Sequence, residues 1–494
     1  MKNKNLNEII DLVGAVQWGG DMSGSFKGIQ HDSRKVSPGD IFLAIKGHQL
    51  DGHDFIPQAV CKGAAAVILE GEIQAPENTP WIKVKNSRLA MSRLAALLNN
   101  HPSRFLRVIG VTGTNGKTTI TYLIERIFQE AGKRTGLVGT IENRILEVPQ
   151  ETDLTTPDSP ELHALLSKMV KEKVEIAIME TSSHALKLKR VEDCLFDIAV
   201  FTNLTQDHMD FHSDFDDYLN SKALLFRNLH LGEKTGSGSK YAVVNIDDAY
   251  ASQIIHGTKV PIIYYGIEND ADYRAFDINT DFMGTSFTVK GPGVEKHLDL
   301  KLIGRFNVYN ALAACAAAFE EGIDPHIVQK ALKETTVPGR FEIIDEGQGF
   351  AVVVDYAHTP DGLKNILETA REITPGRIIT VFGCGGDRDK KKRPLMGKMA
   401  AGLSDFTVVT SDNPRSEVPG EIIKDIIPGV KEAAGEYSVI ESRREAIAKA
   451  VTMAKDGDMV IIAGKGHETY QLIHDEVLHF DDRETAREIL RGLG

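Results

Sequence analysis

One stretch of the chain constrains its architecture more than any other. Residues 106–112 form a compact β-branched run, and residues 119–131 carry apolar side chains at helical spacing. Between them lies Gly110-Val111-Thr112-Gly113-Thr114-Asn115-Gly116-Lys117-Thr118-Thr119. A glycine-rich turn from strand to helix aims backbone N–H groups at phosphate oxygens, and the helix N-terminus adds the positive end of its dipole. Lys117 is placed to reach terminal phosphates and the Thr118 hydroxyl to hold Mg2+. The spacing is a variant of the usual Walker A pattern, because five residues separate Gly110 from Gly116 and two separate Gly113 from Gly116. A turn that merely connects strand to helix would not need a lysine and two threonines at the helix start. Residues Gly113, Thr114, Asn115, Gly116, Lys117, Thr118 and Thr119 are therefore expected to bind nucleotide phosphates.

The same strand-then-helix rhythm recurs along the chain and predicts parallel strands joined by crossover helices. Strands are expected at 41–45, 65–69, 106–112, 137–139, 174–179 and 198–201, with a weaker alternation over 241–265. A hairpin is expected over 273–290 and an alanine-rich helix over 307–321. Val337-Pro338-Gly339-Arg340 interrupts the pattern. It restarts with strands at 352–354, 378–382, 406–409 and 459–462, and helices at 361–371, 391–401 and 443–454. With 494 residues and about 150 per domain, three α/β domains are expected. Their bounds are 1–102, 103–337 around the P-loop sheet, and 338–494 with a Rossmann-like sheet.

Open α/β sheets bind ligands beyond the carboxyl ends of their strands. Glu180-Thr181-Ser182-Ser183-His184 follows the strand at 174–179, and Asp207-His208 follows soon after that at 198–201. These groups and the P-loop are expected on one sheet edge, around a metal and nucleotide. Glu180 suits Mg2+; His208 is a less usual ligand, and on spacing alone reads as a hydrogen-bonded loop residue. In the last third, polar loops again follow the strands. They are Asp355-Tyr356-Ala357-His358, Gly383-Cys384-Gly385-Gly386-Asp387-Arg388, Asp412-Asn413-Pro414-Arg415 and Gly464-Lys465-Gly466-His467-Glu468. Any one of them could be a solvated connection, but four at one edge point to a site.

Composition narrows the function classes. A net charge of −13 disfavours nucleic acid as partner. Four scattered cysteines without a CxxC pair suit a reducing compartment. No apolar run reaches the roughly 20 residues of a membrane span. A cytoplasmic, monomeric enzyme that does not engage membrane is expected.

Together these loops resemble the Mur ligases over essentially the whole chain. The likeness is carried by Gly113–Thr119, Glu180-Thr181-Ser182-Ser183-His184, Asn203-Leu204 with Asp207-His208, Phe306-Asn307-Val308-Tyr309-Asn310, and Asp355-Tyr356-Ala357-His358-Thr359-Pro360. Asp32-Ser33-Arg34, Gly47-His48-Gln49-Leu50-Asp51-Gly52 and Thr155-Thr156-Pro157 resemble the branch that adds a diamino acid to a UDP-muramoyl dipeptide. The resemblance implies a uridine-nucleotide domain at the N-terminus, with Ser33, His48, Gln49, Thr155, Thr156, Ser182 and Arg190 on the UDP substrate. Leu188 stands where the family often has glutamine. It further implies Asn307, Arg340, Asp355 and His358 near ATP, and two Mg2+ ions held with Glu180, His208 and Lys222 modified to a carbamate. From sequence alone Lys222 reads as a solvent-facing helix lysine. Arg388, Asp412, Asn413, Pro414, Arg415, Gly464 and Glu468 would meet the incoming amino acid.

Asp-Asn-Pro-Arg is the form typical of relatives that add meso-2,6-diaminopimelate, whose second carboxylate a guanidinium can grip bidentately. The implied reaction is ATP-driven ligation through an acyl phosphate, a step of peptidoglycan synthesis. A lysine-adding relative is the nearest rival, a folylpolyglutamate synthetase shares the ATP loop, and a non-catalytic P-loop switch is a rival from another class.

Overall fold

The computed structural model describes residues 4–47, 50–72, 76–150, 154–232 and 238–493. His48 and Gln49 lie outside the described residues.

Three sheets follow one another along the chain. The first contains β1 (Ala15–Gly19), β2 (Gly28–Gln30), β3 (Asp40–Leu43), β4 (Ala66–Leu69) and β5 (Trp81–Val84), in the order β1-β5-β4-β3-β2. All neighbours are parallel except β1 with β5. Helix α1 (Ser87–Leu98) is capped by Asn86, whose side chain accepts from the Leu89 N–H, and it leads toward the second sheet.

The central sheet is built around β6 (Arg107–Thr112), which passes through the P-loop into α2 (Lys117–Glu130). It continues with β7 (Thr135–Val138), β8 (Asn143–Ile145), β9 (Val148–Gln150), helix α3 (Ser159–Lys171), β10 (Ile176–Glu180), β11 (Ile198–Phe201) and helix α4 (Phe215–Arg227). Then come β12 (Tyr241–Asn245), β13 (Ile262–Gly266), β14 (Tyr273–Asp281), β15 (Gly284–Gly291), β16 (Val294–Leu300) and helix α5 (Arg305–Glu320). The order is β9-β8-β7-β10-β6-β11-β12-β13-β14-β15-β16. The expected parallel sheet is thus a mixed one. The run β7 to β14 is parallel, while β8 and β9 on one side and β15 and β16 on the other are antiparallel. The expected hairpin gains β16 as a third strand. Both faces of the parallel part are covered, as its continuous apolar strands require. Ile109 and Val111 of β6 pack with Ile120 and Leu123 of α2 and with Ala311 and Leu312 of α5, whereas Val108 joins Leu166 of α3 and Phe226 of α4 on the other face.

The third sheet has β17 (Glu342–Ile343), β18 (Ala351–Asp355), helix α6 (Pro360–Ile373), β19 (Ile378–Phe382), helix α7 (Lys392–Leu403), β20 (Phe406–Val409), helix α8 (Pro419–Glu432), β21 (Tyr437–Val439), helix α9 (Arg443–Met453) and β22 (Met459–Ala463). Its order is β17-β18-β22-β19-β20-β21, parallel except for β17. A separate hairpin, β23 (Tyr470–Ile473) and β24 (Glu476–His479), precedes helix α10 (Asp482–Arg491).

Candidate active site

A cavity of about 710 Å3 opens beyond the carboxyl ends of β6, β10 and β11, with β18 and α6 of the third sheet forming its far wall. Thr114 to Thr119 line it, as do Glu180, His208, Lys222, Arg340, Asp355, His358 and Arg388, and at one end Thr155, Thr156, Ser182 and Arg190.

The P-loop is held rigidly from behind. The Asn115 N–H donates to Asn203 Oδ1 at 2.9 Å, and the Thr114 N–H to the Asn203 carbonyl at 2.8 Å. A Cβ on Gly113 would stand 1.8 Å from Thr202 Oγ1, and one on Gly116 would stand 2.4 Å from Asn310 Oδ1. Only glycine fits there, and the left-handed Gly116 (φ 86°) starts α2 with no side-chain cap. The N–H groups of that first turn are therefore left for a ligand.

Two amines converge on one carbonyl. Lys117 Nζ donates to Gly113 O at 2.9 Å and to Thr114 O at 2.6 Å, and Lys222 Nζ donates to the same Gly113 O at 2.7 Å. Lys222 is 1% exposed, which overturns its reading as a solvent-facing residue. It shares a buried face of α4 with Tyr218 and Phe226, and its amine lies 4.5 Å from the Tyr218 ring centroid. Burial, then the neighbouring Lys117 charge, pushes the Lys222 amine well below its usual pKa. Burial also lowers Lys117, with Glu180 and Asp207 opposing.

The Glu180 carboxylate is 1% exposed and accepts from the Thr140 N–H at 2.8 Å and the Thr140 hydroxyl at 2.9 Å. His208 has a left-handed backbone (φ 58°) and faces His184 edge-on at 4.8 Å. Burial pushes its imidazole down to about 3, against the pull of Asp207, so it is neutral at pH 7. Among the described residues, no group of three or more His, Cys, Asp or Glu side chains is arranged to hold a metal ion. Any metal here would take part of its shell from other donors, such as a hydroxyl, water or phosphate oxygens.

The third sheet contributes directly to the phosphate loop. Arg340 donates to Thr118 Oγ1 at 3.2 Å and stacks over the Tyr356 ring at 4.5 Å. Asn115 Nδ2 donates to Asp361 Oδ2 at 2.9 Å. Asp355 accepts the N–H groups of Phe341 and Ala357, and burial raises its pKa against the Arg340 charge. His358, pushed down to about 4 by burial, has Nδ1 2.8 Å from the Tyr356 carbonyl.

At the far end, Thr155 and Thr140 hydroxyls meet at 3.1 Å, and the Thr156 hydroxyl donates to the Glu180 carbonyl at 2.7 Å. Ser182 caps the short helix Ser183–Lys187, and Arg190 donates to the Thr156 carbonyl at 3.1 Å while pairing with Asp158 at 2.6 Å.

Several expected residues stand apart from this cavity. Ser33 is buried in the first sheet's unit and donates to Gln58 at 2.6 Å. Asn307 spends its amide on the Ile303 carbonyl and Asn310, and it is Asn310, one helical turn on, that reaches the cavity. Asp412, Asn413, Pro414, Arg415, Gly464 and Glu468 form a neighbouring cluster. In it the Asn413 amide donates to Glu468 at 2.8 Å, while its oxygen accepts from Lys465 at 3.1 Å and the Leu472 N–H at 2.9 Å. Burial, then Asp412, raises Glu468, with Lys465 opposing. Sequence reasoning gave Asn203 no role beyond the family likeness and passed over Asp361 and Arg305, all three cavity-lining. Asn203 had a signal, since it follows a buried strand at the P-loop edge.

Fold and cleft define a P-loop α/β protein whose nucleotide loop is completed by a second parallel sheet. Family models match three consecutive stretches: the Mur ligase family catalytic domain over residues 25–104, the Mur ligase middle domain over 111–318, and the Mur ligase glutamate ligase domain over 339–466. The chain is 49% identical over 475 residues to a UDP-N-acetylmuramoyl-L-alanyl-D-glutamate–2,6-diaminopimelate ligase of Syntrophomonas wolfei, covering 96% of each protein. A solved structure of a ligase of the same name superposes with a TM-score of 0.69 at 34% identity, over 100% of this chain and 99% of that one. A MurF ligase from Thermotoga maritima in complex with ADP shares the fold, with a TM-score of 0.60 at 20% identity over 94% of this chain and 96% of that one. The chain belongs to the Mur ligase family of ATP-dependent, amide-bond-forming ligases. Among the described residues no helix is long and apolar enough to cross a membrane.

Proposed function

We propose that this ligase joins meso-2,6-diaminopimelate to the D-glutamyl γ-carboxylate of UDP-N-acetylmuramoyl-L-alanyl-D-glutamate, in the cytoplasmic stage of peptidoglycan synthesis. The observation that carries the reading is the meeting of Lys117 and Lys222 on the Gly113 carbonyl, beside buried Glu180. The Lys117 amine and the uncapped first turn of α2, in a low-dielectric cleft, call for an anion with several charged oxygens, which ATP supplies. The γ-carboxylate attacks the γ-phosphorus of ATP, ADP leaves, and an acyl phosphate forms. The amine of the amino acid then attacks the acyl carbon, expelling phosphate and losing a proton. Lys117 and the α2 N-terminus hold the transferring phosphoryl group, and Arg340 grips the loop from the third sheet.

The donor set suits Mg2+ once Lys222 is modified. Glu180 and Thr118 offer hard oxygens and His208 a nitrogen. A deprotonated lysine adds to CO2 through its lone pair and releases a proton; burial beside Lys117 shifts Lys222 toward that form, and the resulting carbamate replaces a repelled amine with two oxygens. Two Mg2+ ions held there would neutralise phosphate charge. Thr155, Thr156, Ser182 and Arg190, at one end of the cavity, serve the muramoyl peptide, and Ser33 with the first sheet's unit serves the uridine nucleotide. Arg388, Arg415, Glu468 and the 412–415 loop serve the amino acid. Arg415 favours diaminopimelate over lysine, because lysine would leave its guanidinium unmatched.

Phosphate release from ATP, measured with the UDP-dipeptide and each amino acid in turn, tests the proposal. Turnover is expected with meso-2,6-diaminopimelate and far less with L-lysine. Equal rates with the two, or release that ignores the amino acid, would overturn it.

A further inference from the structure

The hairpin β23–β24 has no part in the core. All four residues of β24 are exposed, Val477 and Leu478 among them, and among the described residues the hairpin joins neither the third sheet nor any other. Its inner strand instead runs along the 412–415 loop. The Gln471 side-chain amide donates to the Asp412 carbonyl at 2.6 Å, and the Leu472 N–H donates to Asn413 Oδ1 at 2.9 Å. The Arg415 N–H donates to the Leu472 carbonyl at 3.0 Å, and the His474 N–H donates to the Arg415 carbonyl at 2.7 Å.

Arg415 needs this support. Its backbone is left-handed (φ 52°), a conformation costly for a non-glycine residue unless its surroundings hold it. Its guanidinium donates to the Gly386 carbonyl at 2.8 Å, which aims it along the loop that carries Arg388. The side chain's direction therefore depends on a backbone pose that the hairpin fixes from outside.

We infer that the β23–β24 hairpin is the specificity template of the amino-acid site, with Gln471 as a positioning residue that sets the 412–415 loop and hence the reach of Arg415. The inference rests on the reading of Arg415 as the group that meets the distal carboxylate of diaminopimelate. Gln471 is half-buried at the protein's edge, so replacing it leaves the core intact.

The test compares Gln471→Glu, which keeps the shape but loses the donor, with Gln471→Ala and Arg415→Ala in the full-length enzyme. Both Gln471 variants are expected to raise the KM for meso-2,6-diaminopimelate about 3- to 10-fold, the range for one lost hydrogen bond. The KM for ATP should stay within about twofold, and kcat/KM for L-lysine should not fall. Selectivity for diaminopimelate over lysine then drops by the same factor, which a merely structural role would not produce. If Arg415→Ala raises that KM while neither Gln471 variant does, the template is refuted and the reading of Arg415 stands. If Arg415→Ala leaves it unchanged, the parent reading fails and takes the template with it. A uniform loss across all substrates would also overturn the inference.

Discussion

The P-loop cleft and the 412–415 cluster lie beyond the ends of parallel strands in two different sheets, yet their polar groups are disposed in opposite ways. In the cleft, charge is left unmatched: Lys117 rests on the neutral Gly113 and Thr114 carbonyls, and the first turn of α2 has no side-chain cap. In the cluster, the groups answer one another, with Asn413 saturated by Glu468, Lys465 and Leu472. The cleft keeps an electrostatic demand that only an anionic ligand meets. The cluster is a braced frame that settles where one arginine points. Catalysis needs the first kind of site, because unbalanced charge is what stabilises a developing transition state. Selection between similar amino acids needs the second, because discrimination depends on fixed geometry.

That contrast can be broken by substitution. Lys117→Ala should remove the most, about a thousandfold or more in kcat as read by phosphate release, because it deletes the amine proposed to hold the transferring phosphoryl group. Near-normal turnover would show that the cleft's unmatched charge is not catalytic. Lys222→Ala should cost about a hundredfold or more, and a short-chain carboxylate added to the assay should restore part of it. Full activity without the additive would exclude an oxygen ligand at that position. Arg415→Ala should raise the KM for diaminopimelate roughly 10- to 100-fold with kcat less affected, the pattern of lost substrate binding. A fall in kcat with KM unchanged would place Arg415 in the chemistry and erase the distinction.

The smallest effect sharpens the comparison with a buried base that neither region uses. His163 on α3 is fully buried, with no partner for either ring nitrogen among the described residues, and burial pushes it from 6.5 down to about 3. The unfolded chain therefore binds the extra proton below pH 6.5, and stability falls as pH drops from there toward 3. His163→Leu should flatten that fall by roughly 1 kcal/mol per pH unit, read from denaturant unfolding at pH 7 and pH 5, with kinetics at neutral pH retained. An unchanged slope would mean that His163 protonates without loss of the fold.

Buried parallel strands are legible because each is a short apolar run with a polar loop behind it, as 198–201 illustrates. β16 was not legible, because Val294-Glu295-Lys296-His297 alternates charge at a half-exposed edge. Helix α8 was hidden by Pro428 and Gly429 inside it. Lys222 carried a signal that was not used: Tyr218, Lys222 and Phe226 recur every four residues, which sets the lysine on an apolar stripe. Asn307 and Asn310 lie on one helix face, and only packing against Gly116 reveals which of them reaches the cleft. The hairpin over 470–479 was missed because exposed strands leave no apolar pattern to read.

The hold of Arg340 on Thr118, and of Asn115 on Asp361, has a pharmacological consequence. An inhibitor seated on the phosphate loop contacts surfaces contributed by two separate sheets, so its grip varies with the angle between them. Compounds that bridge Asn115 and Asp361 would act as wedges or staples according to their length. Their residence time would then report how quickly the jaws part.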